Sequence, residues 1–307
     1  MQDCLLFSLT SGSHLTQNLL KETPLLRQAK YRLGSFIDHE VMFYLDEPVK
    51  NHPVFILGHT GPPAENLLQM YTIINTLKIN GAKPIIPIIP YLGYSRSDKD
   101  KPNQPINARL FIKFLKHAGA TKVITLDLHS KLDENYFTFP MTHLSMLPIM
   151  AELFKAQKIP RLDIATPDKG GIRRAQNFAK SIGKNQIIYM EKYRPSVSEA
   201  EVTKLTGTVN HKNVIIVDDM IQTGHTLLSA HTTLKAKGAQ KIYATVTHSV
   251  PQSKGIKLLT SKSLFKKIII SNSIQNTIKL PNSVSIIDVS PLLAKAINNE
   301  IKQIALR

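Results

Sequence analysis

A single cysteine, Cys4, stands in a chain of 307 residues, so no disulfide can form within it and a reducing compartment is favoured. Tryptophan is absent, and no aromatic residues interleave with Arg and Lys as a base-stacking surface would require. No apolar run approaches the roughly 18 residues of a membrane span. The run Cys4-Leu5-Leu6-Phe7 is too short for a secretory leader and has no basic segment before it. Neither a Walker A sequence nor Gly-x-Gly-x-x-Gly occurs, so a nucleotide site here is neither a P-loop nor a Rossmann fingerprint. These absences leave a soluble, cytoplasmic globular protein as the expectation, with no membrane partner.

Acidic residues are comparatively scarce. The chain has 22 of them against 39 basic ones, a formal net charge of +17. A basic surface attracts polyanions, whether nucleic acids or phosphorylated metabolites. The lysines are scattered, however, with no run of five or six. Nucleic acid is therefore not an expected partner, and highly anionic small substrates are.

The length suits two domains of about 150 residues each. Short apolar runs alternate with amphipathic segments, the pattern of parallel sheets covered by helices. Strands are expected at 54–57, 85–89, 123–128, 162–165, 186–190, 214–217, 242–246, 267–270 and 284–287. Helices are expected at 64–79, 106–118, 147–157, 172–182, 225–237 and 292–304. Gly-Ala pairs at 81, 119 and 238 repeat one device, a glycine closing a helix four residues before a strand. Its recurrence predicts two similar α/β domains, 1–147 and 148–307, with the boundary where a polar-to-apolar switch and Pro148 precede a new helix.

The stretch from Asn213 to Leu228 organises the rest. An apolar run, Val214-Ile215-Ile216-Val217, reads as a strand buried on both faces. Asp218 and Asp219 follow at its carboxyl end, where such sheets place their ligands. Gln222-Thr223-Gly224-His225-Thr226 then leads into a helical pattern. Gly224 lets backbone N–H groups converge, and a helix N-terminus adds partial positive charge. Carboxylates for a diol beside a cradle for a phosphate match a sugar phosphate. Taken as ordinary structure, the same residues make a buried strand and a capped turn. The stretch resembles the phosphoribosyl-diphosphate-binding motif of type I phosphoribosyltransferases and of ribose-phosphate diphosphokinases.

Four further stretches carry chemistry. Arg96, after Tyr91 and Tyr94, can brace phosphate oxygens while the aromatics support a flat base; otherwise Arg96–Asp98 is a surface pair. His129, two residues past Asp127, can ligate a divalent ion or touch phosphate, although a lone histidine is more often structural. Asp168, before Lys169-Gly170-Gly171 and a helix, offers an oxygen suited to Mg²⁺. Lys192 and Arg194 open a polar segment reaching Thr203. That segment reads as a flap closing over a transferring phosphoryl group, or simply as a basic loop.

Together these stretches resemble, in order and approximate spacing, the ribose-phosphate diphosphokinase (phosphoribosyl-diphosphate synthetase) family over nearly the whole chain. The resemblance implies two tandem phosphoribosyltransferase-like domains, each a mainly parallel sheet flanked by helices. It implies transfer of the diphosphoryl group of Mg–ATP to the anomeric hydroxyl of ribose 5-phosphate, releasing AMP, in a homo-oligomer such as a dimer or hexamer. Phe36, Asp38 and Glu40 match an adenine-binding loop lent by a neighbouring subunit. Arg96, Ser97 and His129 match ATP-contacting positions, and His129 and Asp168 those near Mg²⁺. Lys192 and Arg194 match the catalytic pair. Asp218, Asp219, Gln222, Thr223, Gly224, His225 and Thr226 match the ribose-phosphate motif.

This chain also departs from the family pattern. His39 stands where glycine is usual, Ser97 where glutamine is, Tyr193 where arginine is, and Gln222 and His225 where aspartate and glycine are. Residues 99–105 form a shorter loop lacking the family's arginines, which removes the basis for expecting activation by phosphate and inhibition by ADP. His225 and Gln222 motivate one alternative, an acceptor with another 5-substituent such as ADP-ribose. The altered positions together motivate a second, a non-catalytic regulatory homologue.

Overall fold

The structure, a computed structural model, describes residues 3–193, 202–250, 255–261 and 264–306. The chain divides into two compact units. One comprises Met1–Leu144, Ser273–Gln275 and Val289–Arg307; the other comprises Ser145–Asn272 and Asn276–Asp288.

In chain order the first unit contains β1 (Cys4–Ser8), α1 (Ser13–Glu22), β2 (Leu26–Gln28), β3 (Tyr31–Ser35), β4 (Val41–Leu45) and β5 (Val54–Leu57). Then follow α2 (Glu65–Ile79), β6 (Ile85–Ile89), α3 (Asn107–Ala118), β7 (Val123–Leu126), α4 (Lys131–Tyr136) and β8 (Met141–Leu144). Six strands form a parallel sheet in the order β2-β1-β5-β6-β7-β8. Every residue of β1, β5, β6 and β7 is buried. Strands covered on both faces need unbroken apolar runs, which is why these were readable at 54–57 and 85–89. Ends of α2, α3 and α7 (His225–Ala236) share one closure. Ala82, Ala120 and Ala239 donate to the carbonyls of Leu77, Leu115 and Leu234, each at 3.0 Å. The preceding glycine takes a positive φ in each case, 89° at Gly238, a region costly for other residues.

The second unit begins with α5 (Leu147–Lys155), β9 (Leu162–Thr166), α6 (Ile172–Ser181), β10 (Ile188–Tyr193), β11 (Val202–Leu205) and β12 (Asn213–Ile221). After α7 come β13 (Ile242–Ser249), α8 (Gly255–Ser261), β14 (Lys267–Ser271) and β15 (Val284–Ile287). Its sheet runs β11-β10-β9-β12-β13-β14-β15, parallel except for β10 against β11. Val214, Ile216, Leu227, Leu234, Ala244, Val246 and Ile270 form part of one buried core under α7.

Two expectations change. The helix expected at 292–304 is α9 (Ser290–Ala305), and it belongs to the first unit, not to a domain spanning 148–307. Its buried Leu293, Ile297 and Ile301 face inward, Asn298 donates to the Glu22 carbonyl at 3.0 Å, and Glu300 pairs with Lys122. The division also falls after residue 144, three residues before the expected boundary.

β3 and β4 form a separate antiparallel hairpin. At its tip the Phe36 N–H donates to the Glu40 carbonyl (2.9 Å), and the His39 N–H donates to the Phe36 carbonyl (3.0 Å). His39 has φ 69°, the left-handed conformation in which glycine is at ease. The resemblance predicted glycine here, and the backbone supplies the reason. His39→Gly is expected to stabilise the protein by about 0.5 kcal/mol, after the flexibility it adds to the unfolded chain is offset. The midpoint of urea unfolding measures this, and a decrease would contradict it.

Candidate active site

Asp218 and Asp219 lie within β12, which runs four residues further than the expected 214–217. Its neighbour β13 is also long, and Asp218 pairs in register with Val246. Both carboxylates are shielded, their side chains 17% and 5% exposed. They share one cation that the sequence reading missed. Nη1 of Arg174, on α6, lies 3.5 Å from Asp219 Oδ1 and 3.7 Å from Asp218 Oδ1. The Asp219 N–H donates to Asp218 Oδ1 at 3.0 Å. Burial, then the neighbouring Asp219 charge, pushes the Asp218 carboxyl well above the ordinary carboxylate range, and Arg174 opposes both.

The turn after β12 places Gly224 at φ 79° as the residue preceding α7, with its carbonyl accepting from the Leu228 N–H at 2.9 Å. Gly224 is buried, whereas Gln222, Thr223, His225 and Thr226 are exposed. A side chain at 224 has no room, since a Cβ would sit 2.8 Å from the Gly255 carbonyl oxygen. The result is a tight bend at a helix N-terminus with two hydroxyls at its surface, an arrangement suited to a phosphate.

Two other elements reach the same carboxyl edge. Asp168 follows β9 and caps the turn before α6, its Oδ1 accepting from the Gly171 N–H at 3.1 Å. Asp168 is exposed. The next residue, Lys169, pairs with Glu191 on β10, and this contact raises the lysine pKa. β10 pairs with β9 only at Ile188 and Tyr189, then continues with β11 as a two-stranded ribbon. Lys192 sits on that ribbon with its backbone opposite Thr203. The expected loop after 190 is thus strand as far as Tyr193, and Arg194 lies outside the described residues.

In the first unit, β6 and β7 are neighbours, and the segments after them carry Arg96, Ser97 and His129. Arg96 is exposed, and Ser97 donates to the Pro105 carbonyl across its own loop. Asp98 is buried and not at the surface. Of the two tyrosines, only Tyr94 is partly open to solvent. Tyr91 is buried against His59, and the Tyr94 ring lies 5.0 Å from that of Phe111. β7 stops at Leu126, two residues short of expectation, because Asp127 turns to φ 36°. Half-buried His129 follows, then Ser130 opens α4 with a capping box to Asp133. On the hairpin, Phe36, Asp38 and Glu40 are exposed, and Asp38 Oδ1 accepts from the Glu40 N–H at 3.2 Å.

Among the described residues no cluster of three or more His, Cys, Asp or Glu could cage a metal. An exposed carboxylate such as Asp168, with one oxygen already accepting a backbone N–H, fits Mg²⁺ in another way. This ion binds through one or two protein ligands while keeping water and substrate phosphates.

Comparison with known proteins gives the family. Residues 4–119 match the model for the N-terminal domain of ribose phosphate pyrophosphokinase, and residues 183–305 match the phosphoribosyl synthetase-associated domain. A ribose-phosphate pyrophosphokinase of Thermosipho africanus is 37% identical over 284 residues, covering 91% of this chain and 89% of its own length. That of Bacillus caldolyticus is 33% identical over 319 residues, covering 100% and 99%. The crystal structure of phosphoribosylpyrophosphate synthetase from Mycobacterium smegmatis superposes with a TM-score of 0.91 at 26% identity, covering 98% of this chain and 100% of the other. The chain belongs to the ribose-phosphate pyrophosphokinase family, whose members are transferases of diphosphoryl groups.

Proposed function

We propose that this chain makes phosphoribosyl diphosphate and AMP from ATP and ribose 5-phosphate. The anomeric oxygen bonds to the β-phosphorus, the bond from that phosphorus to the AMP oxygen breaks, and the anomeric hydroxyl gives up its proton. Such a transfer depends on positioning and charge neutralisation. The observation that carries the reading is the shared edge of the second sheet. There a guanidinium-bridged acid pair and a glycine-bent helix start lie on and after β12, and the Lys192 ribbon continues β10, with only β9 between the two strands.

In this reading Asp218 and Asp219 accept from the ribose hydroxyls, while Thr223, Gly224 and Thr226, with Gln222 and His225 beside them, hold the 5-phosphate. Lys192 and Arg194 neutralise the transferring group. Arg96, Ser97 and His129 contact ATP, together with Phe36, Asp38 and Glu40 from another subunit. The exposed apolar hairpin tip, Phe36 at 47% and Ile37 at 102%, supports a homo-oligomer. His129 and Asp168 would serve Mg²⁺, which when bound screens phosphate charge and polarises its oxygens. Asp168 at the turn before α6 would also orient water around that ion. No helix among the described residues is long and apolar enough to cross a membrane.

Exposed His225 at the first position of α7 favours testing one second acceptor, ADP-ribose. ³¹P NMR of the protein with Mg–ATP and each sugar reads the cleaved bond and the acceptor together. AMP and phosphoribosyl diphosphate from ribose 5-phosphate are expected. Release of ADP, or no turnover with either sugar, would overturn the reading.

Asp218→Asn separates binding from stability. The folded protein holds the Asp218 proton more tightly than the unfolded chain does, so the wild type loses stability as pH rises from about 4 through the raised pKa. The asparagine variant lacks that loss. It is expected to melt higher than wild type at pH 8, with the difference closing toward pH 4, while ribose 5-phosphate affinity falls about 10–100-fold. Calorimetric melting across pH and sugar titration check the two halves.

A further inference from the structure

We propose that Arg174 is a positioning residue, bridging Asp218 and Asp219 through one guanidinium nitrogen so that both are presented as paired acceptors. This rests on the reading of the two aspartates as the sugar-hydroxyl site. Successive strand residues normally point to opposite faces, yet both carboxylates reach the same Nη1, at 3.5 and 3.7 Å. Arg174 is itself only 12% exposed. It is fixed from behind, because Asp168 anchors the turn that starts α6, and α6 packs against β12. A shielded cation between two shielded acids is an expensive arrangement unless it is used.

The other titratable or charged groups near this edge come from each neighbouring element. Arg173 precedes Arg174 on α6, and Asp168 and Lys169 lie in the turn after β9, where Lys169 is engaged by Glu191 of β10. His248 of β13 is buried opposite Met220, and His225 opens α7 exposed. Arg174 holds the place from which one charge serves both acids. Its positive charge lowers the Asp218 pKa against burial and the Asp219 charge. Without it Asp218 keeps its proton to higher pH, and a protonated carboxyl is a poorer acceptor for a sugar hydroxyl.

The test is steady-state kinetics of Arg174→Gln and Arg174→Lys across pH, with melting curves alongside. At pH 7 the glutamine variant is expected to raise KM for ribose 5-phosphate by about 30-fold, to change KM for ATP by less than about twofold, and to keep kcat within about fivefold. The acid limb of its kcat/KM profile for the sugar moves up by about one pH unit or more. The lysine variant recovers most of the loss. An unmoved acid limb and unchanged sugar KM, or a lysine variant no better than the glutamine one, would overturn the proposal. Should the glutamine variant not fold, the lysine variant and its double with Asp219→Asn decide, the double losing less than the two single losses combined if Arg174 acts through the acids, and the full sum if it does not. Asp219→Asn also separates the two ideas. If it leaves the sugar KM unchanged, the sugar site itself is misassigned; if it raises that KM while Arg174→Gln does not, only the positioning role falls.

Discussion

Lys192→Ala is expected to lower kcat by about a thousandfold or more while the affinity for Mg–ATP changes less than about threefold. The reason is where charge develops. A phosphoryl group in flight spreads negative charge over its equatorial oxygens, and a cation placed there is worth far more in the transition state than in the ground state. The ribbon of β10 and β11 leaves the sheet after Tyr189 and carries Lys192 past the end of β9, the strand beside β12 and its acid pair. A lysine whose only task was to hold ground-state phosphate would raise KM and spare kcat. A coupled assay of AMP release, together with calorimetric nucleotide binding, makes that distinction. A variant turning over within tenfold of wild type would remove Lys192 from the chemistry.

Gly224→Ala should be nearly as damaging, through geometry. At φ 79° a Cβ costs about 1–2 kcal/mol on its own. Here it would also lie 2.8 Å from the Gly255 oxygen and 3.0 Å from the Gly255 Cα. Those are backbone atoms at the start of α8 and cannot swing aside as a side-chain tip could. The bend must shift, and the N–H groups preceding α7 shift with it. Displacement of a binding group by about 1 Å commonly costs a hundredfold. KM for ribose 5-phosphate is therefore expected to rise about 100-fold, with ATP binding in place. Thr226→Ala, which leaves the backbone alone, should cost about tenfold at most. Equal effects from the two would mean that side-chain hydroxyls hold the phosphate.

The residues that proved readable share a physical cause. Strands at 54–57, 85–89 and 284–287 have the expected bounds, and most helices fall within a few residues of expectation. Central strands of a parallel sheet announce themselves as continuous apolar runs. Most edge and two-stranded elements do not, the apolar edge strand β15 being the exception. β2 is three residues long, β8 carries Thr142 and His143, and β11 contains Thr203 and Lys204, so none of them stands out. β1 is an apolar run that was weighed only as a leader. α1 is largely polar, and α4 and α8 are short, so periodicity had little to grip. In the candidate site, contiguous motifs were legible. Arg174 was not, because its contact with Asp218 and Asp219 joins two elements through the fold, and only the position of α6 beside β12 reveals it. Tyr91 beside Arg96 was read as open for the opposite reason, since adjacency in sequence says nothing about whether a ring is buried in the fold.

The return of α9 to the first unit carries a consequence for how the protein is born. Ribosomes deliver β1 through β8 well before Val289, so α1 waits without its packing partner while the whole of the second unit is synthesised. Vectorial synthesis ordinarily lets the earlier module mature ahead of the later one. Here that order is inverted, and the later-made module is free to mature while the earlier one still shows a greasy flank to chaperones.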